Sequence, residues 1–576
     1  MTRQEKPAPK PAVEPTEPAP DTGTTERARR REAALRRLER TSLSKRTAAV
    51  LGLGSAAAVA AIAVAGTMWA PVPPAMDTAA RAAELPATPV LSVCPGAPAL
   101  PEGAGSNEDL DFSPLSSDAA TALTVTAGSD LAGTIPGMAY FQSTTGTDGP
   151  GSTQDITDAL DDELQQGPPA TAASDGTVQQ LAYFDAITDP SDAGQPLGVS
   201  VQPVGGQPGL AAATAQYAAT DGDLAGMTLG ACTAAAHQHW LTGAITTTGT
   251  TAVLAVTNPS ATTSTVDLAL FGDSGRIEAT GASGIVLAPG QTRSVLVAGL
   301  APRQESVAIH VSASGGPVAA SIQQHRLDGI VPAGVDTLQP TATGTNLVIP
   351  GLVIDDDAEE IAQASGLEGQ TPQVHIASTG VQASVTLSVR GPDGPVDIPA
   401  EASAIELGPG ATTTVDLSGV EPGTYAVAIE ADANILASAT SLALNPAADN
   451  EDATGNTAAV DTAYQSATRP LRGETMVALP ALGSPESHVV LTSDTDATVA
   501  VTPILDDGET GEPFEQEIAA GAAITIGDDD ATAYLLDTSA SSVHAGVVTT
   551  SDAGISAMPI QTVTATGSGL PVRLGY

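Results

Sequence analysis

Val286–Ile322, VLAPGQTRSVLVAGLAPRQESVAIHVSASGGPVAASI, and Ile405–Thr440, IELGPGATTTVDLSGVEPGTYAVAIEADANILASAT, are two copies of one pattern. Each runs strand, Pro-Gly turn, Thr-rich strand, turn, alternating strand, short turn, small-residue strand, with Pro289-Gly290 matching Pro409-Gly410. Upstream, residues 251–275 (TAVLAVTNPSATTSTVDLALFGDSG) align with 371–394 (TPQVHIASTGVQASVTLSVRGPDG), and a more worn third copy covers 487–508 and 524–550. Val256, Ile376 and Val490 mark the same strand at intervals of 120 and 114 residues. Within the strands apolar residues fall on every second position, as in Val266, Leu268 and Leu270, which buries one face and wets the other. About seven short strands per unit, parted by Gly, Pro, Asp and Asn, predict immunoglobulin-like β-sandwiches. A propeller with blades shorter than this period is the alternative.

The expected fold class is therefore mainly β: tandem immunoglobulin-like β-sandwich modules after one N-terminal transmembrane helix. Three modules are expected at 239–346, 347–474 and 475–576, opening with the similar strands HWLTGAI (239–245), LVIPGLV (347–353) and MVALPAL (476–482). Residues 90–238 read as a fourth, decorated β domain, since 200–229 echoes 309–338. Its middle, Thr153–Gln166, carries Ile156, Leu160 and Leu164 at helical spacing and predicts a short helical insertion.

Charge divides the chain at residue 46. Residues 1–46 hold twelve basic and seven acidic residues, whereas the remainder holds nine Arg, no Lys and 59 acidic residues. Ala48 to Ala70 contains no charge, and its 23 residues are long enough to cross a hydrocarbon core of about 30 Å. Arg36, Arg37, Arg40, Lys45 and Arg46 precede it, so the positive-inside rule predicts a single-pass protein of the plasma membrane. The N-terminus is then cytoplasmic and the C-terminal region extracellular, with a cytoplasmic basic arm (1–46, partly disordered), a transmembrane helix (47–70) and a linker (71–89). A cleaved signal peptide ending near Ala63-Val64-Ala65 is the competing reading. The pair Cys94 and Cys232 lies beyond the segment, and an oxidising exterior permits one internal disulfide; two free thiols or pairing with another chain are the alternatives.

Little else carries chemistry. A net charge of −45 excludes nucleic acid as a partner for most of the chain. His237 and His239 form an HxH without a third ligand at motif spacing, so no metal site is assigned. Asp355-Asp356-Asp357, with Glu359 and Glu360, and Asp528-Asp529-Asp530 are acidic runs; Ca²⁺ is a weak partner candidate, because neither has the spacing of a calcium loop. No catalytic or cofactor-binding residue is assigned. The expectation is a protein that is not an enzyme and has no cofactor.

The run HWLTGAITTTGTTAVLAVTNPS…VDLALFGDSG…LAPGQTRSVLVAG…SASGGPVAAS, behind a Cys-Pro-Gly at 94–96, resembles a family of uncharacterised actinobacterial membrane-anchored envelope proteins, a domain of unknown function. Trp240, Gly243, Asn258, Pro259, Pro289, Gly290, Gly316 and Pro317 carry the resemblance. The third repeat departs from it, with no Asn-Pro after its first strand and no Pro before Gly521. Members are often encoded beside a large membrane glycosyltransferase. The resemblance implies a role in cell-envelope assembly, with the membrane and envelope proteins, that glycosyltransferase among them, as partners. The leading expectation is a non-enzymatic scaffold or accessory factor displaying a stalk of β modules. A cell-wall or capsule glycan-binding module is the alternative, and a hydrolase, which requires a pocket with paired carboxylates or a His/acid pair, is the third.

Overall fold

The computed structural model describes residues 82–83, 89–561 and 570–571, except 101–114, 129–135, 143–153, 156–170, 173–177, 187–194, 205–208, 330, 365–369, 400–403, 445–459, 484, 506–508 and 529. By contact the chain divides into two units, and everything below concerns the one formed by Ala83–Leu570. The charge-free stretch Ala48–Ala70 and the basic arm lie outside the described residues. Among the described residues no helix is long and apolar enough to cross a membrane.

The fold is mainly β, in several sheets. The region around 240–340 shows how its sequence makes it so. In the strand Ser264–Gly272, Val266, Leu268 and Leu270 are buried while Asp267 is exposed, the alternation a one-sided strand requires. One sheet pairs this strand and Gln238–Ala244 with Val307–Gly315; the other sets Thr250–Thr257 between Thr292–Leu296 and Ala319–Asp328, with Val331–Leu338 at its edge. A core of Leu241, Leu254, Val256, Leu270, Ile309 and Ile322 closes between them. Each such side chain contributes about 1.5–3 kcal/mol by leaving water.

The next repeat uses the same pairings with one change. Its predicted short turn at Asp432-Ala433-Asn434 does not form, and Gly423–Leu444 runs as a single 22-residue strand. Its first half pairs with Ala383–Gly391 and its second with Gln373–Ser378, so one strand serves both sides of the core. The difference lies in the glycines: the corresponding break in the preceding repeat uses Gly315-Gly316-Pro317, with Gly315 at φ 94°, and Asp-Ala-Asn has no residue of that freedom. In the first module the expected helical insertion opens differently, since Gln154–Asp155 pairs as a strand with Ala139 and Tyr140; the rest of that segment lies outside the described residues.

The larger sheets fall into four successive groups along the chain, called modules here, and their last strands meet instead of lining up as a stalk. Each ends in a strand, Gly226–Ala231, Val331–Leu338, Val460–Ser466 and Gly554–Pro559, and these four meet, each lying against two others in a closed ring. Neighbouring modules are also joined further out. Gln323 exchanges two hydrogen bonds with the backbone of Ala99 (2.9 and 3.1 Å), and Gln216 does the same with Leu482 (2.7 and 2.8 Å). Ser438 Oγ donates to Thr242 O at 2.9 Å, where Gly243, at φ 95°, lets the two strands approach.

At the centre of the ring lies the carboxylate of Asp461, which has no solvent exposure. It accepts the amides of Val335 (3.1 Å) and Thr462 (2.9 Å) on one oxygen, and those of Met227 and Ile555 (3.0 Å each) on the other. One side chain thus receives a backbone N–H from the final strand of every module. Met227, Val335 and Ile555 each follow a glycine of positive φ, and a Cβ on Gly226 would sit 2.7 Å from an Asp461 oxygen. A second buried carboxyl, Asp336, accepts Ser556 Oγ (2.7 Å) and the amide of Tyr464 (2.6 Å).

Cys94 and Cys232 form a disulfide across the first module. It closes a 138-residue separation, so the bond stabilises that module by about 4–5 kcal/mol through the unfolded chain. Unfolding in denaturant with and without reductant should differ by an amount of that order. Asp461→Ala should cost more than Asp461→Asn, because alanine strands four buried amides at about 1–3 kcal/mol each and asparagine keeps one acceptor oxygen. An Asp461→Ala chain with the wild-type denaturation midpoint would contradict this assignment.

Candidate functional site

Of the residues that carry the family resemblance, Asn258, Pro259, Pro289, Gly290, Gly316 and Pro317 are brought together in one corner of the second module, whereas Trp240 and Gly243 lie against the third. Asn258, fully buried, donates from Nδ2 to Thr262 O (2.8 Å), Leu287 O and Ala288 O (3.1 Å each), and accepts from Ser260 N and Oγ (3.0 and 2.6 Å). Its backbone exchanges bonds with Gln291 and Gly290. Pro289 sets the turn that Gly290 completes at φ 72°, and Gly316 lies so close to Ser260 that a Cβ would collide with its hydroxyl. Pro259 and Pro317 flank these contacts in the sequence. In the third module Ser378 stands in for Asn258, bonding Gly408 O and the amide of Gly410. The corner is a loop clasp, and its chemistry is structural.

Trp240 is partly buried, stacks on His310 (4.3 Å between centroids, 23° between planes) and lies 5.6 Å from Phe271. It packs with Ala377 and Leu436 of the following module, so it wedges two modules together. His237 and His239 do not converge: the first donates to Ala313 O (3.3 Å), the second, buried, to Val318 O (2.7 Å). Of the acidic runs, Asp355 is the N-cap of the helix Asp356–Ala364, its Oδ1 accepting the amides of Asp357 and Ala358 (3.1 and 3.2 Å), so that run opens a helix. Asp528 likewise accepts the amide of Asp530 at 3.1 Å. Among the described residues no group of three or more His, Cys, Asp or Glu side chains stands close enough to hold a metal.

The arrangement best suited to a ligand is a cleft between the second and third modules, enclosing about 490 Å³ with its open mouth. Thr250, His325 and Arg326 line it from one module, Gln370, Thr440, Thr462 and Tyr464 from the other, and Asp336 stands at its wall. Gln324 Nε2 donates to the Tyr464 hydroxyl while its Oε1 accepts the amide of Ile245 at 2.7 Å, which fixes the two walls. Gln370 Nε2 donates to Ala333 O at 2.9 Å, which aims its oxygen elsewhere. Burial holds the Asp336 carboxyl well above the usual carboxylate range and lowers His325 to about 4. Both residues line the cleft, but neither figures among the causes of the other's shift. Both oxygens of Asp336 are engaged, by Ser556 and Tyr464, which fixes that carboxyl in the wall of the cleft.

Sequence reasoning missed Asp336, Asp461, His325 and Gln370. The available signal was the repeated Val-Asp-Thr at 335–337 and 460–462, a carboxylate inside an otherwise apolar strand.

Burial also lowers His375 and His544 to about 4; His375 Nε2 bonds Thr440 Oγ1 at 2.9 Å, and His544 Nδ1 bonds Thr468 Oγ1 at 3.1 Å. Because these folded values lie below the ordinary 6.5, each ring contributes stability that is complete above pH 6.5 and is lost as the pH falls through about 4. In a histidine NMR titration, His325, His375 and His544 should stay neutral until about pH 4. Protonation of all three near pH 6.5 in the folded chain would contradict their placement.

No curated protein matches the chain. Residues 186–527, more than half of its length, match a family of unknown function (DUF5719), and the chain belongs to that family.

Proposed function

We propose that the protein is a non-enzymatic, single-pass envelope protein whose β modules form an extracytoplasmic scaffold, or accessory factor, for cell-envelope assembly. The modules are read as variants of the immunoglobulin-like sandwich. The strand pairs Thr250–Thr257 with Thr292–Leu296 and Ser264–Gly272 with Val307–Gly315 correspond to the central pairs of that fold. The edge strands are exchanged, since the opening strand Gln238–Ala244 lies where the last would stand and Ala319–Asp328 crosses to the other sheet.

The observation that carries this reading is the engagement of the buried polar groups. Asp461, Asp336, Gln216, Gln323 and Ser438 each bridge one module to another. Such cross-links favour a rigid platform that displays its outer strands and end loops to partners. The disulfide Cys94–Cys232 supports an oxidising compartment, and the charge break at residue 46 with the charge-free stretch behind it supports an anchor in the membrane. An envelope protein, a membrane glycosyltransferase as the family resemblance implies, is the proposed partner. The glycan-binding alternative is weakened by Trp240, the one tryptophan beyond the charge-free stretch, which is committed to a contact between modules.

A tag at the C-terminus should be digested by protease added to intact cells, and cross-linking followed by detergent purification should recover an envelope-assembly protein. A protected tag would contradict the topology. An exposed tag with no such protein recovered would contradict the accessory role alone.

A further inference from the structure

Two carboxyls, Asp336 and Asp461, stand in the hub where the final strands meet, and neither has solvent exposure. The second and third modules exchange them. Asp461 accepts the amide of Val335, and Asp336 accepts the amide of Tyr464. Among the described residues neither carboxyl forms an ion pair. Two carboxylates in one buried site repel, and each lacks the cation that would offset its loss of water.

The elements packed against the pair do not supply that cation. Ala319–Asp328 carries His325, Arg326 and Asp328, Gln238–Ala244 carries His239, and Val460–Ser466 itself carries Tyr464. Arg326, the one permanent cation among them, lies across from Thr250 in its strand pair. The helix Asp356–Ala364 adds only acid, with Glu359 buried. Gly226–Ala231, Gly554–Pro559, Thr343–Ile354 and the paired half of Gly423–Leu444 carry no charge.

Hydrogen bonding decides which carboxyl is neutral. Each oxygen of Asp461 meets two backbone amides, which can only donate, so no lone pair is left for a proton. Three of those amides follow Gly226, Gly334 and Gly554, and the fourth follows Asp461, so this carboxylate stands where the other modules have glycine. Asp336 differs. Its Oδ1 meets Ser556 Oγ at 2.7 Å, and that hydroxyl also accepts the amide of Leu229 at 2.7 Å. Between a carboxyl and a hydroxyl the bond can run in either direction, so a proton fits at Asp336.

We propose that the hub keeps one proton, on Asp336, and one negative charge, on Asp461, and that loss of the proton loosens the ring. Burial raises Asp336 well above the carboxylate range, and Asp461 adds to the rise. Because the folded value lies above the ordinary 3.8, the stability tied to this proton is complete below about pH 3.8 and is lost as the pH rises through the folded value. The latch is therefore sensitive to alkali, opposite in sign to the three buried histidines. It does not rest on the scaffold reading.

The test is denaturant unfolding of the purified full chain in detergent, beside Asp336→Asn and Asp461→Asn, across pH. Asparagine at 336 copies the neutral carboxyl, with its oxygen toward Tyr464 and its nitrogen toward Ser556. Asparagine at 461 must turn its nitrogen on two amides. The ratio of the wild-type unfolding constant to that of Asp336→Asn should rise about tenfold per pH unit between about pH 6 and pH 8, since only the folded chain holds the proton. At pH 8 Asp461→Asn should unfold at a lower midpoint than the wild type, and Asp336→Asn should not. At about pH 10 the four final strands should exchange their amides faster in the wild type than in Asp336→Asn. A flat Asp336→Asn ratio would overturn the proposal, and a ratio that rises for Asp461→Asn instead would place the proton on Asp461. Equal exchange in wild type and Asp336→Asn at pH 10 would overturn the loosening. If Asp461→Asn does not fold, the Asp336→Asn series decides alone.

Discussion

One carboxylate receiving four backbone amides from four strands is the constraint on which this structure depends. Asp461 is fully buried, and burial pushes its carboxyl up to about 7 even though the amides of Thr462, Met227, Val335 and Ile555 favour the ionised form. A buried charge is tolerated only where its lone pairs are met. Here they are met by amides that come from different modules, so the side chain is satisfied only when all four final strands are in place. The polar group therefore specifies the arrangement as much as it stabilises it.

Sequence features that look unrelated serve this constraint. Gly226, Gly334 and Gly554 take positive φ and let an amide turn toward Asp461 with no Cβ in the way. The glutamines at 216 and 323 repeat one device, a side-chain amide closing two bonds on a neighbouring module's backbone. A repeat unit of this kind cannot be judged alone, because part of what its polar residues need lies in the adjacent unit.

Much of the fold could be read from the chain. The alternation in Val266-Asp267-Leu268 gave the correct buried face, and the Pro-Gly turns gave the strand ends. The departure of the third repeat from Pro-Gly proves slight: Gly521 takes φ 74° beside 72° at Gly290 and 69° at Gly410, so the turn needs the glycine and not the proline. The cysteines pair as the spacing allowed. The Asp-Ala-Asn turn does not form because strand continuity prevails over a local composition that favours turns, and the acidic run at 355–357 opens a helix through its cap. The ring and the cleft were not legible. An aspartate in a strand ordinarily faces water, and what buries Asp461 is contact with Gly226–Ala231 and Gly554–Pro559, far away in sequence. Thr250 and Gln370 likewise read as ordinary surface residues until two modules close over them.

Amide hydrogen exchange tests the central claim most directly. If Asp461 holds the four final strands as one unit, the peptides spanning 226–231, 331–338, 460–466 and 554–559 should exchange together, at the slow rate of global unfolding. Were one of them to exchange early and independently, with the others still protected, that module would open by itself and the hub would not be what joins them.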